Sequence, residues 1–106
     1  IPAVAMNPLN PDGDANNWLS CMTIAPFSSR RSYKAMDALE AENIESRPIW
    51  KPMHLQPVFA DADFITLQEN GSVGERIFEK GFCLPSDIKN TPEDMELIIN
   101  TIRNLF

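Results

Sequence analysis

Arg47, Trp50, Lys51 and His54 fall within one short stretch, Arg47-Pro48-Ile49-Trp50-Lys51-Pro52-Met53-His54. His54 is the only histidine of the chain, and imidazole is the side chain that ordinarily titrates near neutrality. Together the four residues offer two permanent cations, a ring that donates or accepts a hydrogen bond, and an aromatic platform. Such a set suits an anionic ligand with a flat part. The same residues also read as a core tryptophan with cations coating a loop, and composition alone favours that plainer reading.

Other chemistry finds less support. Gly71-Ser72-Val73-Gly74 lacks the strand before it and the Lys-Ser/Thr after it that a phosphate-cradling loop needs. One histidine and no nucleophile elbow leave no Ser-His-Asp arrangement to argue. Asp12, Asp14, Asp61 and Asp63 lie in loops, where solvation is the default. Cys21 and Cys83 sit in apolar company and far apart, without metal-ligand spacing. A disulfide between them is open in principle, but they are expected as two buried, reduced thiols of a cytoplasmic protein.

Composition narrows the function classes. The chain has 106 residues, 43% hydrophobic and 23% charged, with a formal net charge of −6. That length supports one core and not two. An acidic balance without a basic stripe argues against nucleic acid. No apolar run approaches the roughly 20 residues that span a bilayer, and the N-terminus lacks the basic start and apolar stretch of a signal peptide. The abrupt opening, Ile1-Pro2-Ala3-Val4, is expected of a piece of a longer chain.

The elements that must position Arg47 to His54 follow from periodicity and punctuation. Ala3–Met6 is a short strand candidate, followed by a surface loop over Asn7–Asp14 with two prolines and Asp-Gly. Trp18–Ala25 is apolar on both alternating faces and predicts a central strand covered on both sides, ended by Pro26. Trp18, Met22 and Ile24 are expected on one face, with Leu19, Cys21 and Thr23 on the other. Ser28, Ser29 and Ser32 offer N-caps for a helix to about Asn43, itself placed as a left-handed cap.

Ile44–Arg47 is extended and runs into Pro48. From Pro48 to Gly71, prolines interleave with apolar residues, predicting a long ordered loop with buried anchors that leaves Lys51 and His54 facing a cleft. Ser72 and Glu75 form a capping box for a helix ended by Gly81. Phe82–Pro85 reads as a buried strand. Thr91 caps a last helix with Pro92 in its first position and Met95, Ile98, Ile99, Ile102 and Phe106 on one face. The fold class is α/β (α+β), a three- to four-stranded sheet with helices packed mainly on one face. Trp18–Ala25 is expected between strands near Ile44–Arg47 and Phe82–Leu84.

The stretch Glu40-Ala41-Glu42-Asn43-Ile44-Glu45-Ser46-Arg47-Pro48-Ile49-Trp50-Lys51-Pro52-Met53-His54-Leu55-Gln56-Pro57-Val58-Phe59 resembles the signature of the C-terminal small domain of DegT/StrS-family enzymes. The likeness continues through Asn16–Cys21, Glu79–Ser86 and Thr91–Asp94, and so covers almost the whole chain. The chain departs from the family pattern at Arg31-Ser32-Tyr33, at Asn17, and at Asp87–Asn90. Sugar specificity is therefore not carried over. The resemblance implies a fold-type I, pyridoxal phosphate-dependent aminotransferase acting on nucleotide-linked keto-sugars, of which residues 1–106 would form one small C-terminal domain. It implies that the cofactor, its lysine and its phosphate cup belong to a large domain of the same chain. Lys34, Lys51, Lys80 and Lys89 stand outside the Schiff-base context, so this segment alone is expected to be inactive. Arg47, Trp50, Lys51 and His54 are the expected substrate-binding residues of a cytoplasmic homodimer. A free-standing ligand-binding or regulatory α/β module and a protein-interaction domain are the alternatives from the residues alone.

Overall fold

The computed structural model describes residues 1–25, 29–67 and 72–106, with the side chains of 29–31 left aside. Four strands, β1 (Val4–Met6), β2 (Ser20–Ile24), β3 (Arg47–Pro48) and β4 (Gly81–Leu84), form one sheet in the order β1-β2-β4-β3. Every neighbouring pair is antiparallel. Three helices, α1 (Ser29–Ala41), α2 (Val73–Lys80) and α3 (Pro92–Arg103), complete the fold.

Side-chain alternation divides the sheet into two unlike faces. Met22 stands opposite Phe82, and Ser20 opposite Leu84. Met22, Ile24, Phe82 and Leu84 meet Ala35 and Leu39 of α1 and Ile98 and Ile102 of α3 in a single buried cluster. Phe82, Ile24 and Leu39 are its largest fully buried members. Each such side chain contributes about 1.5–3 kcal/mol relative to exposure. The opposite face carries Cys21 across from Cys83, with Arg47 beyond Cys83.

Local chemistry fixes the ends of the helices. Asn43 takes a left-handed φ of 57°. The Asn43 N–H donates to the Glu40 carbonyl and the Ile44 N–H to the Leu39 carbonyl, each at 2.9 Å. These two bonds are the paired closure of a Schellman end, and Ile44 packs on the core cluster as that motif requires. Ser72 and Glu75 form the expected capping box on α2, and Thr91 and Asp94 form a second one on α3. Gly81 ends α2 with an extended φ of −109°, not a left-handed one. Its glycine is required by space, since a Cβ would lie 2.6 Å from Ile49 Cγ1 and 2.7 Å from the Ile77 carbonyl oxygen.

Several expectations are corrected. The second strand is shorter than Trp18–Ala25, and only its Met22–Ile24 face is closed off, with Cys21 and Thr23 half-buried. Trp18 is 69% exposed; it stands two residues before β2 begins, after Asn17 with its left-handed φ of 50°. Strand β2 lies between β1 and β4, while the Arg47 segment pairs across β4 at the edge of the sheet. On α3 the buried stripe narrows to Ile98 and Ile102, with Met95, Ile99 and Phe106 all more than 40% exposed. Ser32 is no cap: it lies buried inside α1, its hydroxyl donating to the Glu79 carbonyl at 3.4 Å. Pro26, the Ser28 cap and Gly71 fall outside the described residues.

Candidate functional site

The loop after β3 is held by polar contacts and by half-buried Ile49, Pro52 and Phe59, while most of its other apolar residues are exposed, contrary to expectation. Its chain forms two short 3-10 turns, Met53–Leu55 and Pro57–Phe59. The Gln56 side chain donates to the Lys51 carbonyl at 3.2 Å. Trp50, Met53, Leu55 and Val58 are exposed, while His54 is turned inward.

His54 therefore does not face a cleft. Its Nε2 lies 2.7 Å from Glu75 Oε1, and its ring stacks on Phe64 with centroids 3.6 Å apart and planes 13° from parallel. Glu75 Oε2 accepts the Ser72 N–H at 2.9 Å, and Ser72 Oγ accepts the Glu75 N–H at 3.1 Å. One carboxylate thus caps α2 and ties the proline-rich loop to it. The Ser72 backbone N–H first, then the His54 ring, holds the Glu75 carboxyl below its ordinary value.

A groove of about 310 Å³ lies on the face away from α1 and α3. Cys83, Leu84 and Pro85 line it together with Leu19, Pro48, Arg47 and Trp50. The β3–β4 register places Arg47 there, directly opposite Cys83. The Trp50 ring leans against Trp18, with centroids 5.9 Å apart and planes 35° from parallel. Trp18 reaches that position through the Asn16–Asn17 turn, where its N–H donates to Asn16 Oδ1 at 3.1 Å. Arg47 is paired with Glu45, whose Oε1 accepts from Nη2 at 2.6 Å and from Nε at 2.9 Å. Both partners are about three-quarters exposed, so water screens the pair and leaves the guanidinium free to exchange one carboxylate for another anion.

Of the four residues singled out in the sequence, the structure brings Arg47 and Trp50 to one groove. His54 is engaged with α2, and Lys51 is exposed without lining the groove. Trp18, which leans on Trp50 beside the groove, was expected in the core. Its local signal was the Asn16-Asn17 pair, whose side chains favour turns and left-handed backbone.

Chemically the groove is a place to bind. The Trp50 indole can stack a flat group, with Trp18 leaning against it, and Arg47 can meet anionic oxygens. The Cys83 thiol at its floor is pushed up to about 11, first by burial and then by its hydrogen bond with Cys21, so it is not an activated nucleophile. Among the described residues no group of three or more metal-ligating side chains occurs. The residues present do not fit a pyridoxal phosphate site: Lys34 lies on α1, Lys51 on the loop, Lys80 at the end of α2 and Lys89 before α3, and none lines the groove. No helix among the described residues is long and apolar enough to cross a membrane.

The comparisons with known proteins agree on one kinship. Residues 1–103 match the family described as DegT/DnrJ/EryC1/StrS aminotransferase. The chain is 39% identical over 94 residues to EpsN of Bacillus subtilis (strain 168), described as a pyridoxal phosphate-dependent aminotransferase. That alignment takes in 89% of this chain and 24% of EpsN. Among solved structures, the chain is similar to Spr1654 of Streptococcus pneumoniae in its PLP form, described as a sugar aminotransferase. The TM-score is 0.82 and the identity 18%, with 97% of this chain and 26% of that one covered. It is also similar to the aminotransferase TlmJ of Streptoalloteichus hindustanus, with a TM-score of 0.76 and 18% identity over 99% of this chain and 26% of that one. The chain thus spans about a quarter of the length of these relatives.

Proposed function

This chain belongs to the DegT/DnrJ/EryC1/StrS aminotransferase family, and we propose that residues 1–106 are the C-terminal small domain of an enzyme that aminates a nucleotide-linked keto-sugar. The amino donor in this reading is glutamate, and the product feeds assembly of cell-surface polysaccharide or a related glycan. The observation that carries the proposal is the groove in which Arg47 sits beside the exposed Trp18–Trp50 pair. A nucleotide-linked sugar presents a flat base and a diphosphate, which are the two things that this groove could hold.

Within that reading Arg47 meets the diphosphate and Trp50 offers a stacking surface. Lys51, exposed on the adjoining loop, adds a second cation at the approach. His54 acts on substrate through position, by fixing the loop that carries Trp50 and Lys51 to α2. Pyridoxal phosphate, when bound, carries the amino group between donor and acceptor. Since the lysines of this chain form no site for it, the cofactor and its lysine are assigned to the rest of the parent chain. The parent is proposed as a cytoplasmic homodimer, which comes with the family resemblance.

The test is direct. The full-length parent, incubated with glutamate and a panel of nucleotide-linked keto-sugars, should convert at least one to its amino sugar while consuming glutamate. Transfer to simple α-keto acids with every sugar nucleotide refused would refute the reading.

A further inference from the structure

We propose that Cys21 and Cys83 form a reversible dithiol–disulfide site, oxidised by a peroxide and reduced by an external dithiol. The inference rests on the sheet alone and does not depend on the substrate proposed above.

The register places the two cysteines directly opposite on neighbouring antiparallel strands. Their position in the hydrogen-bond ladder follows from the flanking bonds. The Asn7 N–H donates to the Cys21 carbonyl and the Ala25 N–H to the Ala3 carbonyl, so the odd-numbered residues of β2 turn their backbone groups toward β1. On the other side the Ile49 N–H donates to the Gly81 carbonyl, so the odd-numbered residues of β4 turn theirs toward β3. Cys21 and Cys83 therefore form a non-hydrogen-bonded pair. Such pairs have the shorter Cα separation, about 4.5 Å, and the closest side chains. That separation lies inside the range a disulfide spans. The two sulfurs are already 3.5 Å apart.

The surroundings favour sulfur–sulfur chemistry over metal binding, since the described residues gather no third ligand around the pair. The two thiols are also unlike. Cys83 is 6% exposed, whereas Cys21 is half-buried and borders a cavity of about 310 Å³ shared with Ala5, Pro8 and Ile77. Cys21 is the more accessible of the two, so a peroxide reaches it first, which makes Cys21 the attacking thiol.

The steps balance. The Cys21 thiolate attacks one peroxide oxygen, an S–O bond forms, the O–O bond breaks, and the departing hydroxide takes up the displaced proton as water. The Cys83 sulfur then attacks the sulfenic sulfur, the S–S bond forms, and the S–O bond breaks. The hydroxyl leaves with the Cys83 proton as a second water. Two thiols and one hydrogen peroxide thus become one disulfide and two waters. An external dithiol reverses the change by two thiol exchanges, returning both protons and becoming a disulfide itself. The link would join residues 62 apart in sequence and restrict the unfolded chain accordingly.

The experiment uses the full-length parent in its native state. The protein is exposed to hydrogen peroxide, blocked with N-ethylmaleimide, and digested with trypsin without reductant. Most of the population should then carry Gly81–Lys89 joined to the peptide that ends at Arg30, and dithiothreitol should separate the two. The oxidised protein should also unfold at a higher urea concentration, an increase absent in Cys21→Ser. The mapping needs no variant, so a poorly folding mutant would not shield the proposal. Recovery of both cysteines as free thiols, as separate sulfinic acids, or joined to other cysteines would overturn it.

Discussion

On one face of the β2–β4 pair, Met22, Ile24, Phe82 and Leu84 are closed off by α1 and α3. On the other, Cys83 and Arg47 look onto a groove beside Trp18 and Trp50, both more than half exposed. Both faces carry apolar side chains, the second with Thr23 and Arg47 among them, and adjacent residues of one strand go to each. The first is buried by this chain's own helices. The second is covered only in part, where α2 brings Ile77 beside Cys21 and Thr23, and stays open beside the two tryptophans. Apolar character therefore reports burial only where the chain also supplies a cover. The shape agrees: the radius of gyration is 15.5 Å, against about 13 Å for a compact domain of this length.

Substitutions on the two faces should separate these roles. Phe82→Ala removes a fully buried ring from the closed face and should cost about 3–5 kcal/mol in urea unfolding. Trp50→Ala, on the open face, should change stability by no more than about 0.5 kcal/mol. Equal losses would erase the distinction between the faces.

The next effect belongs to the open face alone. Arg47→Ala in the full-length parent should raise KM for the sugar nucleotide about 10- to 100-fold, the equivalent of losing a charge-assisted contact worth roughly 1.5–3 kcal/mol. The glutamate half-reaction should keep its rate. An unchanged KM would leave the groove as mere surface.

Smaller effects concern the latch between loop and helix. Ser72→Ala should cost about 1 kcal/mol through loss of the α2 cap. Glu75 has its folded-state pKa lowered by the Ser72 N–H and by His54, so its contribution is complete above the ordinary carboxylate range. It is lost as pH falls through the depressed value. Glu75→Gln should therefore be less stable than the parent sequence at neutral pH, and should lose less on acidification. A steeper acid loss in the variant would show the sign to be wrong. Smallest of all, Glu45→Gln frees Arg47 from an exposed partner and should alter stability by only a few tenths of a kcal/mol.

What could be read from sequence was local. Asn43, the Ser72–Glu75 box and the Thr91-Pro92 start each act within a few residues, and the structure bears them out. The four-residue strand at Phe82 was legible as an unbroken buried run. The errors arose where distant segments compete. Nothing near Arg47 says that its strand will pair with β4 instead of β2. Trp18 has the same parity as Met22, yet it stands two residues before β2 begins and lies against Trp50, outside the core cluster. His54 looked free because Glu75, its partner, stands 21 residues away. Arg47 and Trp50 could be proposed from residue type, whereas the groove that joins them is a product of the sheet register.

The same sheet order bears on self-association. The two outer strands are three and two residues long; alternation turns residues 4 and 6 outward on β1 and residue 48 outward on β3, and residue 8 follows just after β1. Residues 8 and 48 are both proline, which has no N–H to offer, and the Val4 N–H is already given to the Ile1 carbonyl at 3.1 Å. A second copy seeking to add a strand meets short edges with most of their donors removed. A chain that exposes Trp18, Trp50 and Val58 is thus protected at the sheet margins against growth into extended β aggregates.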